Sequence, residues 1–240
     1  MRYLITIEYD GTYFYGFQRL IGKRSVQGEI ENCLSIINKD LVIIKGAGRT
    51  DKGVHAYGQR ASFDLKYDIP VNNLRRALNS LLPRDIYIKD CIRVSDDFHA
   101  RFNVKRKTYV YHINMGPYDP LLNNYCYFYN YEINMIKLKR CAKLFLGVHH
   151  FDNFVSGSRN NAEAIIYNIE IKKHKNEIEI TFIGKSFYRY MVRNLVGAML
   201  DVASNKASLD EVKNMIISYQ IPKNLSCAPA SGLYLMDIQY

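Results

Sequence analysis

The chain has 240 residues, of which 48% are hydrophobic and 23% charged, and its formal net charge is +10. This apolar content supports a packed core and argues against a disordered chain, and no apolar run approaches the ~18 residues of a membrane span. The positive charge favours a polyanionic partner, and 20 tyrosines and 11 phenylalanines add faces that can stack on unpaired bases. For any single aromatic residue, the core remains the better assignment.

The cysteines do not form a structural framework. They are odd in number and widely spaced, without a Cys-x-x-Cys pair: Cys33, Cys91, Cys126, Cys141 and Cys227. Neither a zinc ribbon nor a disulfide scaffold is expected, and a reducing, cytoplasmic setting fits. The first ten residues alternate like a strand and become acidic, so no signal peptide is expected.

The first hundred residues alternate between strand and helix patterns. The predicted elements are a strand at Arg2–Asp10, a helix capped by Ser25, strands at Leu41–Lys45 and Gln59–Leu65, a helix from Pro70 to Pro83, and a strand around Ile86 and Ile88. Two strand–helix–strand passages predict an α+β fold.

The later residues continue with similar elements. They are a strand after the basic cluster Lys105–Lys107, a helix capped by Asn134, a polar loop at Asn160–Asn161, a hairpin turning at Lys175–Asn176, a helix at Phe187–Ala203, a helix opened by the capping box Ser208–Glu211, and a strand at Leu233–Tyr240. In the first hairpin strand, Ile165, Tyr167, Ile169 and Ile171 alternate. No linker is visible, so 1–240 is expected to be one unit, with approximate halves 1–104 and 105–240.

The stretch Gly46–Gln59 contains four glycines and two alanines around Arg49, Thr50, Asp51 and His55. A tight loop with a carboxylate two residues from a guanidinium is a plausible reactive centre, because a nearby arginine favours the ionised carboxylate. The alternative is a glycine-rich turn with an incidental Asp-Lys-Gly tip. A dinucleotide fingerprint fails because Asp51 replaces its third glycine, and a P-loop needs Gly-Lys-Ser/Thr.

Arg189 and Arg193 are four residues apart, which predicts one face of the helix at Phe187–Ala203. A buried arginine there needs a carboxylate partner, for which Asp51 is the obvious candidate. The alternative is two arginines that face solvent.

His149, His150 and Asp152 suggest a metal site at first sight. Their spacing is not His-x-x-x-His and no fourth ligand is evident, so no metal is expected.

Considered together, these segments resemble the tRNA pseudouridine synthase A (TruA) family over nearly the whole chain. The matching segments, in order, are Glu8–Thr12, Gly16–Arg19, Ala47–Asp51, Gly53–His55, Asp97–Phe102, Lys107–Tyr111, Phe187–Asn194 and Ala228–Leu233. Phe17 stands where the family more often has tryptophan, which keeps an aromatic ring.

The resemblance implies the pseudouridine synthase fold, in which two α+β halves form a mostly antiparallel mixed sheet flanked by helices. It implies a single catalytic unit that isomerises uridine to pseudouridine at positions 38, 39 and 40 of the tRNA anticodon stem-loop. It also implies a homodimer that needs neither a metal nor an organic cofactor. Because no apolar run is long enough for a membrane span, no membrane partner is expected.

Four residues match functional positions of the family. Asp51 corresponds to the catalytic aspartate, and Arg193 to the arginine that pairs with it. Tyr109 corresponds to the tyrosine that packs on the target base, and Arg49 to the arginine that holds the place of the flipped nucleotide.

Two other functions remain open at this point. A non-catalytic tRNA-binding protein would use the same basic and aromatic surface. A metal-dependent nuclease would use Asp51 with His149, His150 and Asp152, and EDTA would stop its strand scission.

Overall fold

The computed structural model describes residues 1–156, 161–218 and 226–240, so the predicted loop at Asn160 falls partly outside the described residues. The strands and helices of these residues are Arg2–Tyr9 (β1), Val26–Asn38 (α1), Lys45–Gly46 (β2), His55–Asp64 (β3), Val71–Leu81 (α2), Ile86–Val94 (β4), Arg106–Asn114 (β5), Tyr127–Phe128 (β6), Met135–Leu144 (α3), Gly147–His150 (β7), Glu163–His174 (β8), Glu177–Gly184 (β9), Met191–Ala203 (α4), Leu209–Ile217 (α5) and Leu233–Gln239 (β10). No helix among them is both long enough and apolar enough to cross a membrane.

The chain divides into two compact units, which are residues 1–105 with 234–240, and residues 106–233. The last strand therefore belongs mainly to the first unit, although it closes the chain. Whether residues 1–240 act as a single catalytic unit stays a prediction.

The first unit contains a sheet in the order β4-β1-β3-β10, with β2 beside β3. All of these pairs are antiparallel except β3 with β10, where Tyr234 lies opposite His55. Tyr3 and Phe63 face each other across β1 and β3 and stack at 5.8 Å. Apolar side chains of α1 and α2 are buried as well, and Ser25 caps α1 by accepting the Gly28 N–H.

The predicted strand at Leu41–Lys45 is wrong for its first four residues. Val42 and Ile44 are buried, but their amides bond to side chains of α1. Val42 N–H donates to the Ser35 hydroxyl at 3.0 Å, and Ile44 N–H donates to Glu31 Oε1 at 3.0 Å. Because the N–H groups of Val42 and Ile44 donate to side chains of α1, hydrogen-bonded pairing with β3 begins only at Lys45.

The second unit contains a sheet in the order β5-β9-β8-β7, with consecutive strands antiparallel and β6 parallel to β5. The hairpin turning at Lys175–Asn176 is confirmed, as are the Asn134 cap of α3 and the capping box of α5. The alternation predicted for the first hairpin strand fails because the register shifts between Ile166 and Asn168. Ile166, before that bulge, is buried, and Tyr167, within it, is exposed.

The predicted helix at Phe187–Ala203 begins four residues later, at Met191. Tyr190 adopts a left-handed conformation with φ 64° and ψ −7°, which interrupts right-handed helical geometry. The carbonyl of Arg189 accepts a hydrogen bond from Ser156 N–H at 3.1 Å instead of a helical one. Arg189 therefore precedes α4 and does not share its face with Arg193, which corrects the sequence prediction.

Each unit combines helices with a mixed, mostly antiparallel sheet. The α+β class predicted from the sequence is therefore confirmed.

Candidate functional site

Asp51 is the first residue of a tight turn in the first unit. Val54 N–H donates to the Asp51 carbonyl at 3.2 Å, and Gly53, the third residue of the turn, has φ +79°. A positive φ at this position is strained for residues with a side chain, so glycine is needed. The turn leaves Asp51 half-buried and its neighbour Lys52 exposed.

The chain after β1 packs directly against both ends of this turn. A Cβ on Gly11 would lie 2.1 Å from the Val54 carbonyl oxygen, and one on Gly16 would lie 2.6 Å from that of Thr50. Phe17 N–H also donates to the Thr50 carbonyl at 3.2 Å. Backbone therefore holds the Asp51 turn on both sides, at distances that only glycine allows.

Buried polar side chains fix the residues that lead into the turn. The Tyr9 and Thr50 hydroxyl oxygens are 2.8 Å apart, and Gln59 Nε2 donates to the Gly48 carbonyl at 3.1 Å. Burial raises the pKa of Tyr9 to about 12, although hydrogen bonds to Thr50 and Gln59 oppose the shift. The Tyr9 hydroxyl is therefore neutral at physiological pH and remains a hydrogen-bonding group.

His55, which follows the turn, is buried and connects two other segments of the unit. Its Nδ1 accepts the Gly11 N–H at 3.1 Å, and its ring stacks on Tyr234 at 4.7 Å. Sequence reasoning missed Tyr9, Gly11 and Tyr234 as supports of the loop. No local pattern reveals them, because their partners lie far away along the chain.

Tyr109 lies on β5 in the second unit. Its side chain is buried, and its ring meets Phe187 edge-on at 5.2 Å. This contact fixes the orientation of the ring within the unit.

Arg193 lies in the first turn of α4, in the same unit. Its Nε donates to the Ala228 carbonyl at 2.7 Å, and the Ala228 N–H donates to the Arg193 carbonyl at 3.2 Å. The guanidinium also lies 4.7 Å from the centre of the Tyr190 ring. Arg193 is thus oriented by the chain that runs beside α4.

Of the residues chosen from the sequence, Arg49 and Asp51 lie together in the loop of the first unit, and Arg49 is exposed. Tyr109 and Arg193 lie in the second unit. The functional roles assigned to the four remain predictions.

Two of the three residues considered as metal ligands have other contacts. His149 Nε2 lies 2.7 Å from the Leu146 carbonyl, and Asp152 Oδ1 accepts the N–H groups of Asn161 and Ala162 at 2.8 and 2.9 Å. Within the described ranges, no three His, Cys, Asp or Glu residues are grouped to hold a metal ion.

Comparison with known proteins identifies the family. The model of the tRNA pseudouridine synthase family matches residues 5–103 and 141–240, which together include most of the chain and the loop around Asp51. The chain therefore belongs to the tRNA pseudouridine synthase family.

Individual relatives match over nearly their whole length. A protein named tRNA pseudouridine synthase A from Limosilactobacillus reuteri is 39% identical over 100% of this chain and 96% of its own. Proteins of the same name from a Geobacillus species and from Mycoplasma genitalium are each 38% identical, over 98% and 100% of this chain and 96% and 98% of their own. The resemblance seen in the sequence is confirmed.

Proposed function

We propose that this protein isomerises uridine to pseudouridine at positions 38, 39 and 40 of the tRNA anticodon stem-loop, with Asp51 as the catalytic carboxylate. The observation that supports this most strongly is the full-length similarity to proteins named tRNA pseudouridine synthase A. The fixed turn at Asp51 supplies a second argument, because a reacting carboxylate must be held in place.

The reaction breaks the N1–C1′ glycosidic bond, turns the uracil and joins its C5 to C1′. Cleavage builds positive charge on the sugar, as in glycoside hydrolysis. A carboxylate can stabilise that charge, attack C1′ or remove a ribose proton. Each of these routes requires Asp51 to be ionised and close to the sugar.

The other three residues would prepare the nucleotide and the carboxylate. Arg193 would pair with Asp51 and keep it ionised. The target base must leave its stack, which costs a few kcal/mol. Arg49 would take the place that the base vacates, and Tyr109 would pack on the flipped base.

The partner and setting follow from this activity. The substrate is tRNA, and the net charge of +10 suits a polyanion. The chemistry described needs no metal and no organic cofactor. The five cysteines are free thiols, which fits a reducing cytoplasm. A homodimer, in which basic surface from both subunits contacts one tRNA, completes the proposal.

The deciding experiment uses a tRNA transcript tritiated at C5 of uridine, with EDTA present. Formation of the new C5–C1′ bond displaces the C5 hydrogen, so the wild-type protein should release tritium to water. Asp51→Asn keeps the size of the side chain and should bind tRNA but release no tritium. Substantial product from Asp51→Asn would contradict the assigned role of Asp51.

The same assay separates the other functions considered from the sequence. Tight tRNA binding without tritium release by the wild type would indicate a non-catalytic binding protein. Cleavage of the RNA that EDTA abolishes would indicate a metal-dependent nuclease, whereas isomerisation leaves the strand intact.

A further inference from the structure

Two lysine ammonium groups lie near one tyrosine ring beside the Asp51 turn, all in the first unit. Lys23 Nζ lies 4.8 Å from the centre of the Tyr15 ring, and Lys52 Nζ lies 4.4 Å from it. Both distances are within the range of cation–π attraction. Tyr15 is 42% exposed and both lysines are exposed, so this Lys23–Tyr15–Lys52 cluster faces solvent.

The charges of the cluster are not neutralised locally. Among the residues that the structure describes, no carboxylate forms an ion pair with Lys23 or Lys52. The adjacent Arg24 differs, because it binds Asp85 through two hydrogen bonds of 2.7 and 2.9 Å and Glu29 through one of 2.8 Å. Each ammonium group therefore keeps its charge available, and an anion bound beside it would supply the missing partner.

The backbone around the cluster is already ordered. Tyr15 N–H donates to the Arg24 carbonyl at 2.9 Å, and Arg24 is anchored by its own ion pairs. Lys23 N–H closes a turn onto the Leu20 carbonyl at 3.2 Å. Lys52 is the second residue of the Asp51 turn. Because both lysines start from ordered backbone, binding an anion there has to order their side chains but not the backbone.

The position of the cluster relative to Asp51 indicates what that anion is. Lys52 follows Asp51 directly, and the backbone of Gly16, next to Tyr15, rests on Thr50 and Asp51. An anion held at Lys52 therefore lies close to whatever occupies Asp51. We infer that the cluster binds the phosphodiester backbone of tRNA next to the nucleotide that reacts at Asp51. This inference rests on the proposed function.

The test measures how salt weakens binding of a tRNA transcript. Lys23→Gln and Lys52→Gln would each be made in an Asp51→Asn background, so that the RNA does not react. The control is Lys66→Gln, which removes the same charge from the same unit but from an exposed lysine already paired with Asp40 at 2.6 Å. The dissociation constant would be measured by fluorescence anisotropy between 50 and 200 mM KCl.

Loss of one phosphate contact lowers the slope of log Kd against log salt concentration by about 1. Each cluster variant should show that lower slope, with an affinity deficit roughly threefold larger at 50 mM than at 200 mM. Lys66→Gln should keep the slope of its parent. Slopes for Lys23→Gln and Lys52→Gln equal to that of Lys66→Gln would overturn the inference.

Failure of the inference and failure of the proposed function have different results. If the wild type releases tritium from the labelled tRNA and the cluster variants keep the parental slope, only the role of the cluster falls. If the wild type binds tRNA but releases no tritium, the proposed function is contradicted. The inference is then contradicted as well, because no nucleotide reacts at Asp51.

Discussion

Thr50 shows how a residue without chemistry of its own can position a reactive neighbour. It is buried, and its hydroxyl lies 2.8 Å from that of Tyr9. Its carbonyl accepts the Phe17 N–H at 3.2 Å. The side chain and the backbone of Thr50 are both hydrogen-bonded. The backbone position of the next residue, Asp51, is therefore held in place.

Tyr9→Phe tests the value of the buried hydroxyl bond. The substitution keeps the ring and leaves the Thr50 hydroxyl without this partner, so the free energy of unfolding should fall by about 1–2 kcal/mol. Urea unfolding measures the change. Tyr13→Phe is the matched control in the same segment, because Tyr13 is 72% exposed. The control should change stability by less than about 0.5 kcal/mol, and an equal effect from both variants would contradict the role given to Tyr9.

The same variant has an expected signature at alkaline pH. The pKa of Tyr9 is raised by burial to about 12, whereas an unfolded tyrosine titrates near 10. The unfolded chain therefore releases this proton first, and stability present below pH 10 is lost as the pH rises toward 12. Tyr9→Phe should show a smaller loss of stability over this range than the wild type.

At the scale of elements, α4 and the chain beside it form one packed pair. Asp201 accepts the Ser226 N–H and hydroxyl, both at 2.8 Å, and Arg193 binds the Ala228 carbonyl. Between them, a Cβ on Gly197 would lie only 1.5 Å from the Ser226 carbonyl oxygen. The close approach at Gly197 thus permits the contact that orients Arg193.

Gly197→Ala should destabilise the protein although alanine favours helices. The helix gains roughly 1 kcal/mol from alanine, but the backbone at Ser226 must move away, and overpacking of this kind costs about 1–3 kcal/mol or more. The free energy of unfolding should therefore fall, as measured in urea.

Gly28→Ala in α1 is the matched control for this substitution. There the new Cβ would have one close neighbour, the Ser25 hydroxyl at 3.1 Å. Its effect should stay within about 1 kcal/mol of the wild type. A stabilising effect of Gly197→Ala would contradict the packing described for α4.

At the scale of the whole molecule, the proposed homodimer predicts a definite mass. Size-exclusion chromatography with light scattering should give twice the 27.9 kDa of one chain. A tRNA bound by surface from both subunits should leave the protein dimeric when tRNA is added. A mass of 27.9 kDa at micromolar concentration would contradict the homodimer while leaving the assignment of Asp51 untouched.

Much of the fold could be predicted because its signals are local. The helix caps are Ser25, Asn134 and Ser208, and each side chain accepts a hydrogen bond from a backbone N–H within a few residues of it. The turn at Lys175–Asn176 joins adjacent strands, so hydrophobic periodicity and turn residues are enough to predict it. The glycine-rich stretch around Asp51 is visible in the same way, whereas the catalytic role of Asp51 comes from the family resemblance and stays a prediction.

The sequence by itself thus determined the α+β class, the family and the loop at Asp51. Only the tertiary structure decided that Val42 and Ile44 bond to α1, that Tyr190 delays the start of α4, and that Gly11 and Gly16 hold the Asp51 turn. The physical reason is the range of the interactions. A backbone N–H group bonds to whichever acceptor the folded chain brings near it. The hydrophobic pattern of one segment does not specify an acceptor that is distant along the chain.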